Sequence, residues 1–129
     1  MKINITAGDI LNAILQEKYP NEVFVPFCEA MIEGEYSSKL FSQEFIMERC
    51  KTHKVSKENY LFKLKGFLDF LATISNYHQV VMWFGEDPFC LANIEVVFKT
   101  LEEYGYQGKL TLHTVDETTG EIVGSRVVR

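Results

Sequence analysis

The chain has 129 residues, the size of one ordinary domain, and its 47% apolar content with 13% aromatics is ample for a single packed core over residues 1–129. Thirteen Lys and Arg against eighteen Asp and Glu leave a net charge of −5, which argues against nucleic acid or an anionic membrane surface as partner. No apolar run approaches the roughly 18 residues needed to cross a bilayer, Met1-Lys2-Ile3-Asn4 opens no signal-peptide core, and Cys28, Cys50 and Cys90 form no CxxC pair, so a soluble, cytoplasmic chain with reduced thiols is expected.

Lys2-Ile3-Asn4-Ile5-Thr6 alternates as a strand does, Ala7-Gly8-Asp9 breaks it, and Ile10, Leu11, Ile14 and Leu15 follow at helical spacing. Asp9 falls where a helix N-cap belongs, because a carboxylate there accepts from the unpaired N–H groups of the first turn. Tyr19-Pro20-Asn21 ends that helix. Val23, Phe24, Val25 and Phe27 read as a second strand buried on both faces, with Pro26 near its end, where a missing ladder donor is tolerated.

Between Cys28 and Gln79 the period is helical, and two helices fit. The first is expected from near Ser38 to Cys50, with Leu40, Phe41, Phe45 and Ile46 facing inward. The second follows Ser56 as cap and carries the stripe Tyr60, Leu61, Leu64, Phe67, Leu68, Leu71 and Ile74. Gly66 inside that stripe costs about 1 kcal/mol relative to alanine, so either a neighbour approaches closely or the helix bends there.

Val80-Val81-Met82-Trp83-Phe84 is continuously apolar, as a central parallel strand covered on both faces should be. Asp87 followed by Pro88 marks the next helix start. Leu91, Ile94, Phe98 and Leu101 are its expected inner stripe, and Gly105 its left-handed stop. Leu110, Leu112 and Val115 alternate as a fourth strand. After the turn at Asp116 to Glu121, Ile122 to Val128 reads either as an antiparallel edge strand or as a tail.

The order β, α, β, αα, β, α, β implies an α/β three-layer sandwich with a mainly parallel sheet in the order 2-1-3-4 and helices on both faces. Its topological switch point lies between the first and third strands, where a crevice is expected. Thr6, Gly8 and Asp9 from the first strand, Trp83, Gly85, Glu86 and Asp87 from the third, Glu29 from the second and Arg49 from the helical insertion are the candidate ligand-binding residues.

The segments Ile5-Thr6-Ala7-Gly8-Asp9, Val25-Pro26-Phe27-Cys28-Glu29-Ala30-Met31 with Gly34, Arg49 and Trp83-Phe84-Gly85-Glu86-Asp87-Pro88-Phe89-Cys90 together resemble a mainly bacterial α/β family. That family is catalogued as domain of unknown function eighteen thirty-five, and the resemblance spans about residues 2–116. It implies a Rossmann-like fold and brings no established activity with it.

Each candidate also has a plain structural reading. Gly8 with Asp9 suits a ligand loop or a turn glycine plus cap, since neither a GxGxxG nor a GxxxxGK[ST] pattern is present. Arg49 suits one anion contact or a pairing with a nearby carboxylate. Trp83 and Phe84 suit stacking on a ligand or core packing. Cys90, Cys28 and Cys50 read as buried thiols without a histidine partner. His53, His78 and His113, placed in a loop, before a strand and inside a strand, lack zinc spacing. Lys51, His53, Lys54 and Lys57 read as a solvated turn.

The carboxylates at Asp9, Glu29, Glu86 and Asp87 oppose a bare phosphate and favour a ligand with hydroxyl or ammonium groups, or a hard cation. Three functions follow. The first is a binding module for a polar small molecule at the crevice. The second is a metal-assisted hydrolase or phosphotransfer enzyme, in which Asp9, Glu29 and Asp87 hold Mg²⁺ or Mn²⁺ and Glu86 is the general base. The third is an interaction protein, pairing with a partner or as a homodimer, in which the carboxylates only cap helices.

Overall fold

Five strands form one sheet in the order β2-β1-β3-β4-β5, seen in a computed structural model that describes residues 1–129. They are β1 (Lys2–Thr6), β2 (Phe24–Pro26), β3 (Gln79–Phe84), β4 (Lys109–Val115) and β5 (Ile122–Val127). The first four run parallel, and β5 returns antiparallel along β4. The helices are α1 (Asp9–Lys18), α2 (Gln43–His53), α3 (Lys57–Lys63), α4 (Lys65–Ala72) and α5 (Pro88–Glu103), with a 3₁₀ turn at Ile74–Asn76. This is the three-layer α/β arrangement that the crossovers require, and the terminal segment is a strand rather than a tail.

Alternation along the strands divides the core in two. Ile3, Ile5, Val80, Met82, Phe84, Leu110 and Leu112 face the side covered by α2 to α5. Val81, Trp83 and Val115 face the side covered by α1, where Leu11 and Leu15 pack with Phe24. β2 is an edge strand and only Phe24 in it is buried, so the expectation of burial on both faces does not hold.

Three helix boundaries differ from the sequence reading, each for a local reason. Gly8, not Asp9, is the cap position of α1, and no side chain caps that helix. The insertion's first helix starts at Gln43 because Ser42 caps it, its Oγ accepting from Phe45 N–H at 3.2 Å. The donors of Ser37 and Ser38 are taken instead by the Glu48 carboxylate. Leu40 and Phe41 are buried all the same, Phe41 with a positive φ of 60° that turns its ring onto Phe27, Phe45 and Phe67.

The long stripe from Ser56 is two helices joined at Leu64. Both explanations for Gly66 apply, since the break is two residues away and a Cβ on Gly66 would stand 2.9 Å from Val25 Cγ1. In α5 the buried stripe is Cys90, Asn93, Ile94, Val97 and Leu101, and Leu91 is exposed. Asp87 caps α5 as expected, its Oδ1 accepting from Cys90 N–H at 3.0 Å, and Gly105 follows the helix with φ 73°.

Candidate functional site

The turns after β1 and β3 do emerge side by side, with Thr6 opposite Trp83 and Ala7 N–H bonded to the Trp83 carbonyl at 3.0 Å. The turn after β3 lines no part of the main cleft. The chain leaving β2 crosses to α5, where Asn93 holds it twice: Nδ2 donates to the Glu29 carbonyl at 2.7 Å and Oδ1 accepts from Met31 N–H at 2.9 Å. A polar residue on the buried stripe of α5 thus ties down the segment that follows β2.

The cleft lies one strand over, with a volume of about 540 Å³. Its one wall is Ala7, Gly8 and Asp9 at the start of α1 and its floor is Phe27, Cys28, Glu29 and Ala30. The other wall is His53 from α2, Val55, and Asn59, Tyr60, Phe62 and Lys63 of α3. Gly8 has φ 157° and open space where a Cβ would stand, so glycine serves the backbone there, in a region other residues avoid.

Under the floor sits a buried charge cluster. Arg49, fully buried, donates from Nε to Glu29 Oε2 and from Nη2 to Glu29 Oε1, both at 3.1 Å, and from Nη2 to the Ala30 carbonyl at 3.0 Å. Tyr60 donates its hydroxyl to Glu29 Oε2 at 2.6 Å, Ala30 N–H donates to Oε1 at 2.7 Å, and His53 Nε2 lies 2.6 Å from Oε1. Arg49 Nη1 has no partner. Burial pushes the Glu29 carboxyl up, but hydrogen bonds from Arg49, Tyr60 and Ala30 outweigh it and hold it below the usual carboxylate range. Burial and then the Glu29 charge push the Tyr60 hydroxyl well above the ordinary tyrosine value.

The lowered Glu29 value has a measurable consequence with a definite sign. Above the ordinary carboxylate pKa, both folded and unfolded chains carry the charge and its stabilisation is complete. Below it the unfolded state takes up the proton first, so stability falls with pH until the folded value is passed. In urea titrations the Glu29 contribution to the midpoint should be complete from pH 7 to about 5.5 and fall steadily below about 4.5.

Comparison with family models, curated proteins and solved structures finds no match to this chain.

The residues singled out from the sequence fall into separate places. Gly8, Asp9 and Glu29 meet at the cleft, and Arg49 lies beneath it in the carboxylate pairing. Thr6 is fully buried, its Oγ1 donating to Asn12 Oδ1 at 2.8 Å, so it anchors α1. Trp83 is core: Nε1 donates to Asn4 Oδ1 at 2.8 Å and its ring packs against Tyr19, Phe24 and His113. Glu86 is exposed outside the cleft, with no hydrogen bond to mark it as a general base.

The cation triad expected of Asp9, Glu29 and Asp87 does not form. Glu29's two oxygens are occupied by the donors just named, and its side chain is wholly buried. Asp87 belongs to another cluster, in which ligand atoms of Asp87, Cys90 and Glu117 lie within 4.8 Å of one another beside Gly85. Burial and the Asp87 carboxylate raise Glu117, while the Cys90 N–H lowers Asp87. Burial pushes Cys90 to about 12, so it stays a thiol, and burial with Asp9 does the same to Cys28. Cys28 and Cys50 are only half-buried, against expectation.

His53, Tyr60, Asn93, Phe62 and Lys63 escaped the sequence reading as site residues. His53 ends α2 rather than lying in a loop. Its spacing of four from Arg49 was the usable signal, because residues so spaced share one helix face.

Proposed function

We propose that this chain binds a polar small molecule bearing hydroxyl or ammonium groups, in the cleft between the β1–α1 turn, the β2 exit and α3. One observation carries the reading: a fully buried, five-donor Glu29 cluster is built under an open cleft instead of an apolar floor. A buried ion pair is often no more stabilising than apolar packing, and this one fixes the positions of His53 and Tyr60 in the cleft wall.

The volume is in the range of small-molecule sites. Asp9 at the start of α1 disfavours a phosphate there. Phe62, 80% exposed at the lip, offers a ring face to a flat ligand, and Lys63 and Asn59 offer polar contacts beside it.

Thermal melts with nucleosides, sugars, amines and divalent ions test this. A ligand at 100 times its dissociation constant should add about 2.7 kcal/mol. Asp9→Asn and Phe62→Ala should abolish the response, and Asp87→Asn should not. Silence across the whole panel overturns the reading.

A second reading, pairing with a protein partner or a second copy, is favoured by β5. This edge strand leaves Val123 and Val127 exposed at 66% and 76%. Sedimentation at increasing concentration checks it.

Membership of the family catalogued as domain of unknown function eighteen thirty-five, a Rossmann-like fold and a cytoplasmic location belong to the same proposal. The three unpaired thiols and the absence of any helix long and apolar enough to cross a membrane accord with it. The negative net charge speaks against nucleic acid.

A further inference from the structure

The contact between Glu29 and His53 has a chemistry that binding alone does not use. His53 Nε2 is 2.6 Å from Glu29 Oε1 and 3.2 Å from Arg49 Nη2. Arg49 Nη2 has two protons, and both are engaged, by Glu29 Oε1 and by the Ala30 carbonyl. A carboxylate oxygen so close to a ring nitrogen requires a proton between them, so Nε2 carries the hydrogen and donates it. In the neutral ring the lone pair is then on Nδ1.

Nδ1 has no hydrogen-bond partner. Its nearest charged neighbour is Glu33 Oε2 at 3.7 Å, beyond bonding distance, and the imidazole is 20% exposed in the cleft wall. Glu29 cannot turn away, because Arg49 and Tyr60 hold both of its oxygens.

We propose that Glu29 and His53 make the cleft a hydrolytic site, with His53 Nδ1 as general base toward a neutral carboxylic ester. This rests on the cleft being the ligand site. Nδ1 takes one proton from a water as the water oxygen bonds to the ester carbonyl carbon and the π pair moves to the carbonyl oxygen. When that pair returns, the carbon–oxygen bond to the alcohol breaks and the departing oxygen takes the proton from Nδ1. One ester and one water give one acid and one alcohol, and the ring ends neutral.

Glu29 touches no substrate. It is a positioning residue that fixes the tautomer and pairs with the imidazolium formed in passing. The first turn of α1, which no side chain caps, lines the same cleft as His53. A neutral ester fits because Asp9, Glu29 and Glu33 would repel an anionic one. The charged or titratable groups around His53 are Glu29 and Glu33 from the β2–α2 connection, Arg49 on its own helix, and Tyr60 of α3 through Glu29.

Two measurements on the full chain decide it. Nitrogen-15 NMR of His53 above neutral pH should show hydrogen on Nε2 and a bare Nδ1; hydrogen on Nδ1 overturns the proposal and needs no variant. Hydrolysis of 4-nitrophenyl acetate and butyrate should be at least tenfold slower in His53→Gln. The wild-type kcat/KM should rise along an acid limb that this variant lacks. Glu29→Gln, where circular dichroism shows it folded, should move that limb and lower kcat with KM little changed. If wild type is no faster than His53→Gln, the hydrolytic proposal fails, and a ligand-induced melting shift that persists in the variant keeps the binding reading. Absence of both defeats both.

Discussion

Arg49→Met should destabilise the protein by about 3–5 kcal/mol, because it removes the cation from a pair whose two side chains are both fully buried. For a domain of this length that is a fall in Tm on the order of 10–20 °C. Methionine keeps most of the volume, so the loss measures the stranded Glu29 carboxylate more than a cavity.

The pH dependence provides a second, independent signature. In the wild type the Glu29 carboxyl is held low by Arg49, and acid weakens the fold. Without Arg49, burial is opposed only by the hydrogen bonds from Tyr60 and Ala30, so the Glu29 carboxyl moves up from its wild-type position. The loss of stability below about pH 4.5 should therefore be shallower in the variant than in the wild type. Adding Glu29→Gln to Arg49→Met should recover part of the loss at pH 7, because the stranded charge is gone. A loss below about 1 kcal/mol would show that the pair is structurally idle, and equal losses in the single and double variants would show that the stranded carboxylate is not the source of the loss.

The sheet order was readable because each strand declares itself. The alternation of β1, the apolar run of β3 and the Asp87-Pro88 start of α5 are local signals, and right-handed crossovers leave few ways to connect them. The antiparallel return of β5 was one of two readings of the segment after the turn at Asp116 to Glu121, and the structure shows the strand.

The site was less legible, because its parts come from contacts far apart in the chain. The Glu29 carboxylate is shared by Arg49, His53 and Tyr60, which lie 20 to 31 residues away, and its loop is tied to Asn93 at a separation of 64. Tyr60 fits an apolar stripe and is buried, and nothing in that pattern marks its hydroxyl as a partner of Glu29. The rule for open parallel sheets placed the ligand at the C-terminal ends of the strands, which is where the cleft is, but between β1 and β2 rather than at the switch point. The segment after β2 is tied to α5 through Asn93, and the length of a loop does not say where it will lean.

Phe67→Ala should remove about 3–5 kcal/mol and move the urea midpoint with little change in slope. Phe67 is fully buried and its ring meets Phe27 at 4.9 Å, Phe41 at 5.2 Å and Phe70 at 6.2 Å. The side chain is one residue from Gly66, where α4 lies against Val25 of β2 too closely for a Cβ, so the backbone has little room to close over the cavity. Phe67→Leu keeps more of the volume and should lose about 1.5 kcal/mol or less. The Phe27 contact is the edge-to-face kind, worth about 0.5–1.5 kcal/mol beyond its area. A double-mutant cycle of Phe27→Leu with Phe67→Ala should therefore show coupling of that size. Phe27 also forms part of the cleft floor two residues before Glu29, so loosening its ring should weaken any ligand response even where Phe67→Ala remains folded. A full ligand response in folded Phe67→Ala would mean that the floor is held by Asn93 and the Glu29 cluster alone.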